Sequence, residues 1–333
     1  MGILPAPRIV LFLLALAVLA LGAAGCGRED GDADAAQAPE TTGETAAELS
    51  GDVLSDGSST VGPLTTAAAE RFRDEQSAVN VEVGISGTGG GFERFCAGET
   101  DLSNASRPID EEEEVPLCEE NGVEFTEIQV AVDALTVVVN PANDWADCLT
   151  VDELGTIWAP ASEGEITSWS QVRDGFPDVP LALAGAGTDS GTFDYFTDAV
   201  NGEEGASRSD YTASEDDNTT VQAVQGAEGG LGYFGLSYYL ENEGALKALE
   251  IENESGECVP PSADTAQAGD YNPLARPLFV YVKNESLARP EMQEFMRFYL
   301  TNIDAIATDA LFIPPPADVK TESESTLEAA IGS

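Results

Sequence analysis

Four short segments hold most of the residues that could act on a small ligand. They are Asp56-Gly57-Ser58-Ser59-Thr60, Ser86-Gly87-Thr88-Gly89-Gly90-Gly91, Ser103-Asn104-Ala105-Ser106-Arg107 and Gly187-Thr188-Asp189-Ser190-Gly191-Thr192. Glycine lets a backbone approach a ligand closely, and serine and threonine add hydroxyl donors. Each segment follows an apolar run that reads as a strand. Three lead directly into a helical pattern, and the Arg107 segment does so after a short link. A helix N-terminus exposes N–H groups without intrahelical partners and carries the positive end of the helix dipole. Such junctions bind anions. Several converging on one point would surround a small tetrahedral oxyanion with neutral donors, and Arg107 would add a charged fork. Taken singly, each segment has a plainer use. Ser58 to Thr60 and Ser190 to Thr192 would cap helices, the glycine run would be a turn, and Arg107 would pair with a surface acid. Their joint occurrence at strand-to-helix junctions is what points to a ligand.

The elements that must position these segments can be read from periodicity. Strands are expected over 52–54, 79–85, 102–105, 125–132, 134–139, 181–184 and 278–282, with the pair 125–132 and 134–139 nearly continuous. Helices are expected over 61–73, 91–97, 111–121, 150–158, 191–200, 219–225, 290–300 and 323–331. Thr150 with Glu153 forms the capping box that starts one of them. Alternation of strands and helices predicts an α/β protein with mostly parallel sheets. In such sheets a ligand lies beyond the carboxyl ends of the strands. Asp133 stands out because it interrupts the apolar run 130–139, where a carboxylate would be buried and needs a reason.

Composition removes several function classes. The chain has 61 acidic and 14 basic residues, a net charge of −47, and lysine only at 247, 283 and 320. Nucleic acid is excluded as a partner for such a surface. The acids are spread along the whole chain, which suits a surface adapted to high salt, where screening removes self-repulsion. Histidine is absent. A phosphate-ester hydrolase using Ser190 as nucleophile would therefore lack the base of a Ser-His-Asp triad. Zinc is not expected, nor any other metal or cofactor.

The N-terminus reads as an export signal. Arg8 precedes the apolar run 9–21, and Gly22-Ala23-Ala24-Gly25-Cys26 follows. The run is too short to span a bilayer comfortably. Residues 1–25 are expected to be a leader with a cleavage zone of small residues, the plainer alternative being an ordinary signal peptide cut near Ala24 with Cys26 incidental. The zone resembles a bacterial lipobox, with Cys26 the lipidated residue and Ala23 where the commonest lipobox has leucine. Residues 26–50, acidic and almost without large apolar side chains, are expected to form a disordered tether. Export allows disulfides, and Cys96, Cys118, Cys148 and Cys258 make two, in any of three pairings.

The stretches DGSSTVGPLT, ISGTGGGFERFCAGETDLSNASRPI, VDALTVVVNP, LGTIWAP, GTDSGTFDYF and GGLGYFGLSYY together resemble the phosphate-binding proteins of bacterial phosphate ABC importers. The resemblance covers the chain from about residue 55 to the end of its globular part. It implies a type II periplasmic-binding-protein fold of two α/β lobes joined by two crossing strands. Residues 51–134 with 276–333 would form lobe one and 135–275 lobe two, with crossings near Asp133 and 274–278. It implies capture of inorganic phosphate by a monomer on the outer face of the cytoplasmic membrane, held there by a lipid anchor, and delivery to ABC permease subunits. By motif, the ligand set would be Ser59, Thr60, Ser86, Gly87, Thr88, Ser106, Arg107, Ser190, Gly191 and Thr192. Ser58, Asp56 and Asp189 are weaker candidates. The resemblance also implies the pairings Cys96–Cys118 and Cys148–Cys258.

One departure from the family pattern matters. Well-known members carry Asp where this chain has Arg107, and Arg shortly before the S-G-T motif, where this chain has Ala186 and Gly187. That Asp accepts the proton of a phosphate oxygen and repels sulfate, which has none. Asp133 is the candidate replacement, and otherwise a cap at the crossing or a partner for Arg107. Trp145, Trp158 and Trp169 are expected in the core, with Tyr233, Phe234 and Tyr238 packed near the cleft. The alternatives to phosphate capture are another tetrahedral oxyanion (sulfate, molybdate, phosphonate), the hydrolase, and a sensor or adhesin on the same fold.

A charge of −47 repels an anion at long range. The association rate for phosphate should therefore rise as salt goes from low to molar concentration, measured by stopped-flow fluorescence. A salt-independent rate would contradict this.

Overall fold

The computed structural model describes residues 49–188 and 190–332. The expected leader, Cys26, nearly all of the expected tether, and Asp189 lie outside the described residues. The elements in chain order are β1 (Ser50–Gly57), α1 (Gly62–Glu75), β2 (Ala78–Val83), α2 (Gly87–Cys96), β3 (Leu102–Ala105), α3 (Glu114–Glu120), β4 (Phe125–Val139), β5 (Cys148–Thr150), α4 (Val151–Trp158), β6 (Ala182–Ala186), α5 (Gly191–Asn201) and β7 (Thr212–Ser214). They continue with α6 (Asp217–Gln225), β8 (Gly230–Gly235), α7 (Leu236–Glu241), β9 (Lys247–Ala248), β10 (Glu250–Glu252), β11 (Cys258–Val259), α8 (Ala263–Gln267), β12 (Ala275–Lys283), α9 (Pro290–Thr301), α10 (Ile303–Asp309) and α11 (Ala317–Ile331).

One large sheet runs β2-β1-β3-β12-β4-β8-β6-β7, with β9 also on β4, and a small sheet runs β11-β10-β5. The ladders β1–β2, β1–β3, β6–β7 and β6–β8 are parallel. The ladders that join them, β12–β3, β12–β4 and β4–β8, are antiparallel. The expectation of mostly parallel sheets is thus corrected. The chain leaves one half along β4 and returns along β12, and strands running out and back pair antiparallel.

The two expected strands 125–132 and 134–139 are one strand of 15 residues, long enough to reach roughly 50 Å. Its first part, to Ala134, pairs with β12, and Leu135 to Val139 pairs with β8. The buried apolar residues of β4 change cluster near the same place, with Ala131 the last in the first cluster, Val132 and Ala134 packed with Leu236, Ala266 and Ile313, and Leu135 the first in the second. Val53, Leu64, Phe72, Val130, Val280, Phe295 and Tyr299 belong to one cluster. Leu135, Val137, Trp158, Trp169, Phe196 and Tyr233 belong to another. Trp158 is ringed edge-on by Phe196, Tyr211 and Tyr233, and Phe196 stacks on Tyr233 at 3.7 Å. Trp145 is partly buried against the same cluster.

Helix starts follow capping chemistry where side chains supply it. Thr150 Oγ1 accepts from Glu153 N–H at 3.1 Å, and Thr150 N–H donates to Glu153 Oε2 at 2.9 Å. Helix α2 begins at Gly87, four residues before the expected start. Glycine has low helix propensity, so its run conceals the first turn. Tertiary contact settles it, because a Cβ at Gly91 would lie 2.5 Å from Gly57 Cα and 3.1 Å from Ser103 Oγ. Helix α3 begins at Glu114 rather than 111, since Asp110 Oδ1 draws Glu112 N–H and Glu113 N–H into a turn. A disulfide joins Cys96 to Cys118, tying α2 to α3, and another joins Cys148 to Cys258, tying β5 to β11.

Arg208 is a buried cation that closes a loop in the second cluster's half. Its Nη1 donates to Ile157 O (2.9 Å) and Ile166 O (3.0 Å), and its Nε and Nη2 grip Asp210. Arg208→Met leaves two carbonyls without donors and should cost roughly 2–3 kcal/mol in urea unfolding. The Arg208 hydrogen bond lowers the Asp210 pKa from 3.8 to about 2. A depressed carboxyl stabilises the fold above its ordinary pKa and loses that effect as pH falls through the folded value. The gap between wild type and Arg208→Met should therefore narrow between about pH 4 and pH 2, and a constant gap would contradict this assignment.

Candidate functional site

The end of β1 fixes the first two segments to each other. Asp56 is 3% exposed. Its Oδ1 accepts from Gly57 N–H and from Ser86 Oγ, both at 2.7 Å, and its Oδ2 pairs with Arg94. Ser86 N–H donates to Gly57 O at 3.1 Å. Ser86 is the N-cap of α2, yet its hydroxyl does not cap the helix, because it is taken by Asp56. The N–H groups of the first turn of α2 are left without a side-chain acceptor from their N-cap. Ser58 is buried, and its Oγ accepts from Thr60 N–H (3.2 Å) and Val61 N–H (3.4 Å) at the start of α1.

The third segment is stitched to the first two. Ser58 N–H donates to Asn104 O at 2.9 Å. Thr88 Oγ1 lies 3.0 Å from Ser106 Oγ and accepts from Ser106 N–H at 3.3 Å. Arg107 turns away. Its two Nη atoms grip Glu114 at 2.8 Å each, and its guanidinium stands 5.6 Å from the Phe92 ring centroid. Glu114 raises the Arg107 pKa.

The fourth segment belongs to the other cluster's half, and it meets the first. Ser190 caps α5, its Oγ accepting from Thr192 N–H at 3.2 Å. A Cβ at Gly191 would stand 2.5 Å from Thr60 Oγ1 and 3.3 Å from Ser59 Oγ. Only glycine permits this approach of the N-terminus of α5 to the N-terminus of α1.

A residue that the sequence reading missed stands at the same place. Arg276 faces Asp133 across the β12–β4 ladder, and directly opposed residues of an antiparallel pair share one face. Arg276 Nε is 3.5 Å from Asp133 Oδ2, and Nη2 reaches Thr60 Oγ1 at 3.4 Å. The guanidinium lies 3.6 Å above the ring centroid of Tyr195, whose hydroxyl donates to Pro273 O at 2.7 Å. Burial pushes the Asp133 carboxyl up, with Arg276 pulling it back. Burial also raises Tyr195, Asp194 and Glu204, and Arg276 opposes it at each. The signal in the sequence was an arginine opening the apolar strand 275–283, since arginine is almost never buried unpaired.

The structure thus joins Ser86 to Asp56, Thr88 to Ser106, Thr60 to Gly191 and Arg276, and Arg276 in turn to Asp133. It places Arg107 with Glu114. What remains is a set of helix N-termini, hydroxyls and one guanidinium. Such a set can bind an oxyanion without reacting with it.

Comparison with known proteins gives independent findings. Residues 39–302 match the PBP superfamily domain. Protein SphX of Synechococcus elongatus is 48% identical over 269 residues, covering 81% of this chain and 79% of that protein. The phosphate-binding protein PstS of Staphylococcus saprophyticus is 38% identical over 317 residues, covering 95% and 92%. The crystal structure of a possible phosphate binding protein from Planctomyces limnophilus superposes with a TM-score of 0.81 at 47% identity, covering 85% of this chain and 99% of that one.

Proposed function

Since the chain belongs to the PBP superfamily and, within it, to the phosphate-binding proteins, we propose that it captures inorganic phosphate outside the cytoplasm and passes it to the permease of an ABC importer. The observation that carries this reading is the meeting of Thr60 with Gly191. Two helix N-termini, each backed by a different apolar cluster, meet at one place, where the positive ends of both helix dipoles favour an anion. Ser59, Thr60, Ser86, Gly87, Thr88, Ser106, Ser190, Gly191 and Thr192 are the proposed neutral ligand set. Arg107 joins it if ligand draws it from Glu114.

The proposed lobes are 51–134 with 276–333, and 135–275. The change of ladder partner on β4 between Ala134 and Leu135, and the passage from the first cluster at Ala131 to the second at Leu135, support them. Phosphate would lie between the lobes, which close on it. Cys26 would carry a lipid anchor to the outer face of the membrane, and the chain would work as a monomer.

Asp133 is the proposed acceptor of a phosphate proton. A buried carboxylate facing an anion with no proton costs about 1–3 kcal/mol, which is about 5- to 150-fold in affinity. That difference separates phosphate from sulfate. Asp56 and Asp189 remain weaker candidates, and the hydrogen bonds of Asp56 within its own loops support an orienting role.

The test is calorimetry on residues 27–333, freed of phosphate by partial unfolding and dialysis. Phosphate should bind one to one with little heat from sulfate. Asp133→Asn should erode that selectivity by at least about fivefold. Equal binding of sulfate by the wild type, or no binding of either anion, would overturn the assignment of the ligand.

A further inference from the structure

We infer that Arg276 is the charged ligand of the bound anion, held in aim by Asp133 and Tyr195. This rests on the phosphate reading above and adds to it the source of the positive charge. The candidates can be narrowed by their partners. Arg107 is gripped at both Nη atoms by Glu114, and Arg94 pairs with Asp56 and Glu99. The fourth segment carries no basic side chain. Arg276 touches Thr60 where the N-termini of α1 and α5 meet.

Its donors are nearly unused. The side chain is 14% exposed. Nε is buried and donates to no acceptor among the described residues. The contacts to Asp133 at 3.5 Å and Thr60 at 3.4 Å are longer than well-formed hydrogen bonds to a cation. A guanidinium has five N–H groups, and burying them without acceptors is unfavourable. A tetrahedral oxyanion beside Thr60 would accept from the Nη groups with the two-bond geometry that suits arginine.

The surroundings make the fork rigid. Arg276 Cζ stands over the Tyr195 ring, 3.6 Å from its centroid, and the Tyr195 hydroxyl is tied to Pro273, three residues before Arg276. Asp133 stands on the Nε side, placed there by strand register. Because β12 runs between the two clusters, the charge sits at the junction and does not belong to either wall alone. In a chain of net charge −47, one oriented guanidinium with its own counter-carboxylate gives a local cationic face without a basic surface patch.

The experiment compares four variants by calorimetry, with melting temperature and near-UV circular dichroism as checks on folding. Arg276→Gln should bind phosphate at least about 100-fold more weakly. Arg276→Lys keeps the charge and loses the fork, and should lie between, roughly tenfold weaker than wild type. Arg297→Gln removes the same charge from the surface pair with Glu328 and should stay within about twofold. Removing one member of a buried pair can unfold a protein. The double variant Asp133→Asn/Arg276→Gln removes both charges, and should fold and still lose at least about 100-fold. The Arg276 Nε–H resonance of the wild type should also move on phosphate addition, a readout that needs no variant. If the wild type binds phosphate while the folded Arg276 variants bind within about threefold of it and the resonance is unmoved, Arg276 serves only the fold and the inference falls. If the wild type itself does not bind phosphate, the ligand reading fails first and takes this inference with it.

Discussion

A carboxylate and a guanidinium face each other across two strands that run in opposite directions between the two apolar clusters. Asp133 lies on β4 and Arg276 on β12, and they are register partners. The pairing is costly in isolation, because both groups leave water. It is tolerated where the strands cross because that is also where the N-termini of α1 and α5 arrive. The antiparallel register fixes which side chains share the face, and the parallel ladders on each side bring the helix starts to it. Slipping either strand by one residue would leave the two charges on opposite faces of the sheet.

The same place resolves an electrostatic difficulty. The chain is strongly acidic, and burial pushes the Asp194 and Glu204 carboxyls nearby upward. An anion site built from many basic side chains would have to be neutralised by these acids. Backbone N–H groups and hydroxyls cannot be neutralised in that way, and they carry a fixed orientation. Ser86 illustrates the economy of the arrangement. Its hydroxyl holds Asp56, so the N–H groups at the start of α2 are left for another acceptor.

Much of this was legible in the residues. The helix expected over 61–73 is α1, with Leu64, Ala68 and Phe72 buried at helical spacing, and Thr150 with Glu153 marked the start of α4. The four segments were visible because glycine and hydroxyl residues between a strand and a helix have few other uses. The start of α2 was not visible, since the contact of Gly91 with Gly57 depends on residues far apart in sequence. The antiparallel centre was hidden for a similar reason, as alternation of elements does not reveal that β4 serves both halves. Asp133 drew attention as an acid in an apolar run, but its partner could not be read from spacing. Arg276 lies 143 positions along the chain and opposes it only through the β4–β12 register. Arg107 was prominent in its motif, and Glu114, seven residues on, holds it.

The central claim is that separate strand-to-helix junctions hold one anion through backbone donors. Amide chemical shifts recorded while phosphate is added to the ligand-free protein test it most directly. The account predicts that the amides of Thr60, Thr88, Gly191 and Thr192 move together and stop at one equivalent. Shifts confined to one junction, or scattered over the surface without saturation, would contradict it.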